Sequence, residues 1–234
     1  MAKKKVGLKV PTANELSKRY GDMIVSASDT KESGLWLPST FFMLNYTFGG
    51  GIPFGKILEV AGEESSGKSL IAYNFAYTTQ QLGGHVIWVD AEQAWMNSWA
   101  QENGVDPNGV TVIRDTRIEN IADALADVAI YWRSQLTHNE PILLVVDSIA
   151  AMDCADNIDS KMVDGKSEMG GRAKALYKFF RIRSELFYKL GITQIYINQL
   201  RTALNVGFGK DNTCLHYDTI IPFVDGTSMK IGEI

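Results

Sequence analysis

The octapeptide Gly62-Glu63-Glu64-Ser65-Ser66-Gly67-Lys68-Ser69 constrains this chain more than any other stretch. Two glycines five apart, followed by Lys and a hydroxyl residue, fit the P-loop pattern. The flanks supply the context that pattern needs. Lys56-Ile57-Leu58-Glu59-Val60-Ala61 reads as a short buried strand, and Leu70 to Tyr77 reads as a helix. In a strand–loop–helix of this kind, backbone N–H groups and a helix N-terminus converge on phosphate oxygens, and glycine lets the backbone come close. Lys68 is expected to reach the β- and γ-phosphates, and the Ser69 hydroxyl to ligate Mg²⁺. An ordinary Gly-rich turn is the plainer alternative, and the satisfied context argues against it.

The rest of the chain repeats the same rhythm. Short apolar runs at His85–Val89, Val110–Ile113, Ile142–Val146 and Gln194–Ile197 are separated by helical patterns at Ile118–Leu136 and Arg172–Leu190. Strands alternating with helices imply crossover connections and a mostly parallel sheet, so the fold class is α/β. At 234 residues the chain can bury one substantial domain of this type plus small appendages. Residues 1–34 read as a lead-in, with one helix from Asn14 to Tyr20 capped by Thr12 or Asn14.

Composition excludes several classes. No run approaches the roughly 18 apolar residues of a membrane span, and Lys3-Lys4-Lys5 is followed by no signal-like apolar core. Two cysteines, Cys154 and Cys214, suggest no disulfide framework, and a reducing cytoplasm is the expected location. A net charge of −4 gives no global attraction to nucleic acid, so any such binding must come from local loops or from many subunits together.

Acids stand where a phosphate site needs them. Ile142-Leu143-Leu144-Val145-Val146-Asp147 is an apolar run ending in a carboxylate, which in a parallel sheet lies beside the P-loop and can hold the Mg²⁺ shell. Val86-Ile87-Trp88-Val89-Asp90 is followed by Ala91 and Glu92. Hydrolysis needs a carboxylate to orient or deprotonate water, and spacing leaves Asp90 and Glu92 equal for that role. Asn198-Gln199 after the last strand offers an amide that could sense the terminal phosphate, or simply form a turn.

At this point the chain resembles the RecA family of DNA strand-exchange recombinases, including their phage counterparts. The matches are the P-loop, Val89-Asp90-Ala91-Glu92-Gln93-Ala94, Val145 to Ala151 and Ile197-Asn198-Gln199-Leu200-Arg201. They occur in the family's order over roughly residues 35–213. The resemblance implies an RecA-like P-loop NTPase fold and an ATPase using ATP and Mg²⁺, forming a filament on single-stranded DNA for recombination and repair. It implies that Glu92 is the catalytic carboxylate, that Gln199 couples the γ-phosphate to a DNA loop, and that Trp99 stacks on adenine, the other reading of Trp99 being a core-facing helix residue. It also implies two DNA-facing loops. One exits through Gly170-Gly171-Arg172. The other starts at Arg201 and runs through Gly207-Phe208-Gly209-Lys210. By charge the first loop is an ordinary solvated one, with five acids against Lys161 and Lys166 between Asp153 and Gly171. A hexameric RecA-fold helicase is a second reading, disfavoured by the Asn-Gln-Leu-Arg and Gly-loop pairing. A non-catalytic nucleotide-binding recombination mediator is a third, disfavoured because Lys68, Asp147 and Glu92 are all present.

After Thr213 the pattern changes. Cys214-Leu215-His216-Tyr217-Asp218-Thr219, a hairpin with an Asp225-Gly226 turn, and the closing Lys230-Ile231-Gly232-Glu233-Ile234 resemble the N-terminal splicing block of an intein. Residues 214–234 are therefore read as an intein N-fragment. By that resemblance Cys214 attacks the Thr213 carbonyl, and a separate intein C-fragment carries the downstream recombinase half.

Overall fold

His85–Asp90 (β4) and Ile142–Asp147 (β6) are the most apolar runs of the chain, and they form the middle of its sheet. The computed structural model describes residues 12–24, 26, 34–159, 170–200, 220–222 and 228–230. By internal contacts the chain divides into two units, Met1–Gly34 and Leu35–Ile234.

In the first unit, Ala13–Tyr20 forms α1. Its start is set by a capping box: the Glu15 amide donates to the Thr12 hydroxyl oxygen, and the Thr12 amide donates to the Glu15 carboxylate at 2.9 Å. Two otherwise orphaned amides are satisfied, an arrangement typically worth about 1 kcal/mol. Thr12, not Asn14, is the cap.

The second unit opens with Trp36–Leu37 (β1), Phe42–Phe48 (α2) and Ile52–Pro53 (β2), with β1 antiparallel to β2. Ile57–Gly62 (β3) leads through the P-loop to Lys68–Gln81 (α3), and then to β4 and Asn97–Glu102 (α4). Val110–Ile113 (β5), Ile118–Gln135 (α5), β6 and Ala155–Asp159 (α6) follow. Gly171–Lys189 (α7) and Ile192–Gln199 (β7) complete the run. The five strands are all parallel, in the order β3-β7-β6-β4-β5. The mostly parallel α/β sheet expected from the sequence is therefore the observed fold.

Side-chain alternation splits the core into two layers. Val86 and Trp88 of β4, Leu143 and Val145 of β6, and Ile195 and Ile197 of β7 face α3, where Ala72, Tyr73, Phe75 and Ala76 meet them. Ile87 and Val89, Leu144 and Val146, and Ile192 and Tyr196 face the opposite way, onto Ile121 and Leu125 of α5 and Phe179 and Phe187 of α7. Truncating one of these aliphatics to Ala would cost about 2–5 kcal/mol through lost burial and the cavity left behind. Outer strand β3 is only half covered, and Ile57 is 47% exposed.

Near the C-terminus, Ile220–Pro222 (β8) pairs antiparallel with Ser228–Lys230 (β9). The hairpin is present, but its register corrects the expected turn. A two-residue Asp225-Gly226 turn would put Pro222 opposite Met229. Pro222 is instead opposite Ser228, which leaves residues 223–227 between the paired ends. Residues 225 and 226 themselves lie outside the described residues.

Candidate functional site

Parallel strands deliver their C-terminal ends to one edge of the sheet, and β3, β4, β6 and β7 bring the candidate residues together there. The P-loop is bent by local backbone conformation. Ser65 has φ 61° and Gly67 φ 84°, both in the left-handed region. A Cβ at Gly62 would stand 2.7 Å from the Ser66 hydroxyl, so that side chain would have to turn away. That hydroxyl donates to the Glu63 carbonyl at 2.8 Å, and the buried Lys68 ammonium donates to the same oxygen. Gly62, its carbonyl bonded by the Leu200 amide at 3.1 Å, ties the loop to the end of β7.

Around the loop lies a cavity of about 360 Å³ lined by Glu64 to Leu70, Glu92, Trp99, Asp147, Ile197 and Gln199. Ser69 Oγ donates to Asp147 Oδ2 at 2.7 Å across 78 residues of sequence. Gln199 Nε2 donates to Glu92 Oε1 at 2.7 Å. Trp99, at the start of α4, is 44% exposed and on the cavity wall rather than turned into the core.

Asp90 is used otherwise. It is 2% exposed, and its carboxylate accepts the amides of Ala94 at 2.8 Å and Trp95 at 3.2 Å while Arg114 Nε lies 3.3 Å away. It shapes the segment after Glu92, and it is absent from the cavity lining. Spacing left these two acids equal; their surroundings separate them.

Burial pushes the Asp147 carboxyl above the usual carboxylate range, against the Ser69 hydrogen bond and with help from Glu92 and Asp90. Burial, and then the charges of Asp147 and Asp90, push the Tyr73 phenol up to about 12. Such a site favours a cation beside Asp147. A hydroxyl and a carboxylate at 2.7 Å form a hard-oxygen pair of the type Mg²⁺ accepts, since it keeps most of its shell as water and phosphate. Among the described residues no cluster of three or more His, Cys, Asp or Glu could hold a metal by itself. No helix of the described residues is long and apolar enough to cross a membrane.

The residues expected to meet DNA are only partly placed. Gly170, with φ 102°, caps α7, and Gly171 is its first residue. Arg172 is half-buried, and its guanidinium donates to the Ile149 carbonyl at 3.0 Å, anchoring α7 to the turn after β6. Arg201, Gly207, Phe208, Gly209 and Lys210, and the junction residues Thr213 and Cys214, lie outside the described residues. Two features were missed from sequence. Ser148, buried, donates its hydroxyl to Glu92 Oε1. Helix α7 carries six cations against one acid, Glu185, and Lys174, Lys178 and Arg181 stand exposed on it. The second was legible as a charge run within a helical pattern; the first had no signal beyond a Ser following a strand-end acid.

The RecA N-terminal domain family matches residues 10–224 of this chain. The chain is similar to protein RecA of Mycobacterium leprae, 33% identical over 199 residues that cover 85% of this chain and 26% of that protein. Protein RecA of Mycoplasma mycoides is 31% identical over 202 residues, 85% of this chain and 56% of the relative. Protein RecA of Clostridium beijerinckii is 36% identical over 167 residues, 70% and 43% respectively. The chain thus spans about half the length of these relatives, or less.

Proposed function

The chain belongs to the RecA family, and we propose that it is the N-terminal part of an ATP-dependent, single-stranded-DNA-binding recombinase of phage type. The observation that carries this reading is the convergence of Lys68, Ser69, Asp147, Glu92, Gln199 and Trp99 on one cavity. In this reading the loop amides from Glu64 to Ser69 and the Lys68 ammonium bind the β- and γ-phosphates. Ser69 and Asp147 would hold Mg²⁺, which when bound neutralises phosphate charge. Trp99 supplies an aromatic wall for adenine. Glu92 takes a proton from the attacking water as the water oxygen bonds to phosphorus and the bond to the ADP oxygen breaks; the proton then passes to solvent. Gln199 reports the state of the site to the chain that follows it, a role supported by its bond to Glu92 at the end of β7.

DNA contact is assigned to Gly170, Gly171, Arg201, Gly207, Phe208, Gly209 and Lys210, with the exposed cations of α7 added. Arg172 is assigned a smaller share, because its guanidinium already serves the Ile149 carbonyl. Filament formation, recombination and repair belong to the completed protein.

The tail is proposed to be a split-intein N-fragment, with Cys214 forming a thioester at Thr213. One observation favours a competing reading, that residues 214–224 are recombinase sequence: the family match runs past Cys214 to residue 224.

Nucleotide binding tests the core proposal. ATP should bind the chain with Mg²⁺, and Lys68→Ala should abolish binding. Hydrolysis by this chain should respond weakly or not at all to single-stranded DNA. Absence of ATP binding in the parent chain would defeat the reading.

A further inference from the structure

We propose that Ser148 is the positioning residue that fixes the Glu92 carboxylate, an inference that rests on Glu92 acting as the base for hydrolysis. Ser148 follows Asp147 at the end of β6 and is 0% exposed. Its hydroxyl donates to Glu92 Oε1, which also accepts Gln199 Nε2 at 2.7 Å. Both donors fall on one oxygen, so Oε2 is the oxygen that neither occupies. The backbone reinforces the arrangement. Asp147 and Asp90 are register partners, and the Asp147 carbonyl accepts the amides of Ala91 at 2.9 Å and Glu92 at 3.3 Å. Glu92 is thereby tethered through its main chain to Asp147 and through its side chain to the next residue.

The two donors differ in permanence. Gln199 sits at the end of β7 and is part-exposed. Ser148 is buried, and its hydroxyl is engaged by Glu92. When Gln199 turns toward another acceptor, Ser148 still holds Oε1, which fixes the side-chain torsions of Glu92 and presents Oε2 in one orientation. The last residue of β6 and the one after it thus divide the labour. Asp147 engages the P-loop hydroxyl Ser69, and Ser148 engages the carboxylate from the neighbouring strand.

The side-chain amide resonances of Gln199, assigned with Gln199→Ala in the isotope-labelled full chain, read this contact without turnover. Ser148→Ala should move them toward the position of a free glutamine amide and broaden them, because Glu92 no longer holds one orientation. In single-turnover hydrolysis Ser148→Ala should be about 10- to 100-fold slower, the scale of a small misplacement at a reacting centre. ATP affinity should stay within about two-fold, the pattern of an interaction felt only in the transition state. Ser148→Thr, which keeps the hydroxyl, should restore both signals, and in a Glu92→Gln background Ser148→Ala should slow hydrolysis no further. If Ser148→Ala does not fold, Ser148→Cys, with its weak donor, gives the same readout. An unmoved Gln199 resonance overturns the proposal, as does a rate loss matched by an equal loss of ATP affinity. Failure of the ATPase reading looks different. The parent chain would then not bind ATP, or Glu92→Gln would hydrolyse at the parent rate.

Discussion

Asp90 and Glu92 stand two residues apart at the end of β4, yet their carboxylates belong to different structures. Asp90 is enclosed by the amides of Ala94 and Trp95, while Glu92 lines the cavity and is bonded by Ser148 and Gln199. Their substitutions should therefore separate cleanly. Glu92→Gln should keep stability and ATP binding but slow hydrolysis by roughly two to four decades, the scale of losing a general base. Asp90→Ala should lower stability by about 1–3 kcal/mol, because buried amides lose their acceptor. Urea unfolding and single-turnover hydrolysis on both variants check the assignment. Undiminished hydrolysis in Glu92→Gln would move the catalytic role away from that residue.

Asp147 should show the opposite trade. Burial raises its carboxyl above the usual range, so the folded state disfavours the charged form. For an acid shifted upward, the folded protein binds protons more readily than the unfolded chain. Its cost is absent at low pH and appears as pH rises through the folded value. Asp147→Asn keeps an acceptor for Ser69 and removes the charge. It should raise the Tm at neutral pH without nucleotide, while weakening Mg²⁺-dependent ATP binding. Thermal melts at pH 7.5 with and without Mg²⁺-ATP check both halves.

His85 gives a pH dependence of known sign. It is buried at the start of β4, its Nε2 lies 2.8 Å from the Thr111 hydroxyl, and its ring stacks on Trp132 with centroids 3.5 Å apart. Burial lowers its pKa to about 4. The unfolded chain, with an ordinary imidazole, binds more protons between about pH 6.5 and 4, so stability falls as pH drops through that window. Between pH 7.5 and 5 this residue alone should cost about 2 kcal/mol. His85→Gln should flatten that part of the profile in denaturant titrations. An unchanged slope would mean that other groups carry the acid sensitivity.

Strand β3 should make the chain self-associate. Among the described residues no strand pairs with its outer edge, and Ile57 is 47% exposed on a strand whose alternate positions are all uncovered. Open edges with apolar faces recruit other strands, and a Lys on the edge discourages it. Sedimentation should show concentration-dependent association of the chain and less of it in Ile57→Lys. Equal association would place the contact elsewhere.

The parts of the fold set by local pattern were readable in advance. The unbroken apolar runs of β4 and β6, the strand–loop–helix around Lys68 and the capping box at Thr12 each follow from neighbours in sequence. Where long-range contacts decide, the sequence was silent. Asp90 and Glu92 could be told apart only by how residues 94 and 95 fold back, and Ser148 only by what β4 brings beside it. Arg172 is assigned to a DNA-facing loop by resemblance, and nothing local announces its bond to the Ile149 carbonyl. The β8–β9 register departs from the Asp-Gly expectation because pairing along both strands, not the dipeptide, fixes alignment.

Cys214 carries the sharpest prediction. If residues 214–234 are a split-intein N-fragment, mixing the chain with its cognate C-fragment should join Thr213 to the downstream half through a normal peptide bond. The Cys214 thiolate attacks the Thr213 carbonyl carbon, and the Thr213–Cys214 amide becomes a thioester with the amine released. The acyl group passes to the side-chain nucleophile of the downstream half's first residue as the Cys214 thiolate leaves. Cleavage of the C-fragment from that residue then frees its amine, which takes the acyl group as a normal peptide bond. Cys214→Ala should block joining completely. Cys154→Ala should leave it unaffected, because Cys154 is a buried thiol of the core, in the segment just before α6. Without the partner the chain should keep its intact mass. Intact-mass measurement after mixing separates the outcomes. A joined product from the Cys214→Ala chain, or no joining with any C-fragment from the source genome, would leave residues 220–230 as a strand pair of the recombinase itself, as the family match to residue 224 would have it.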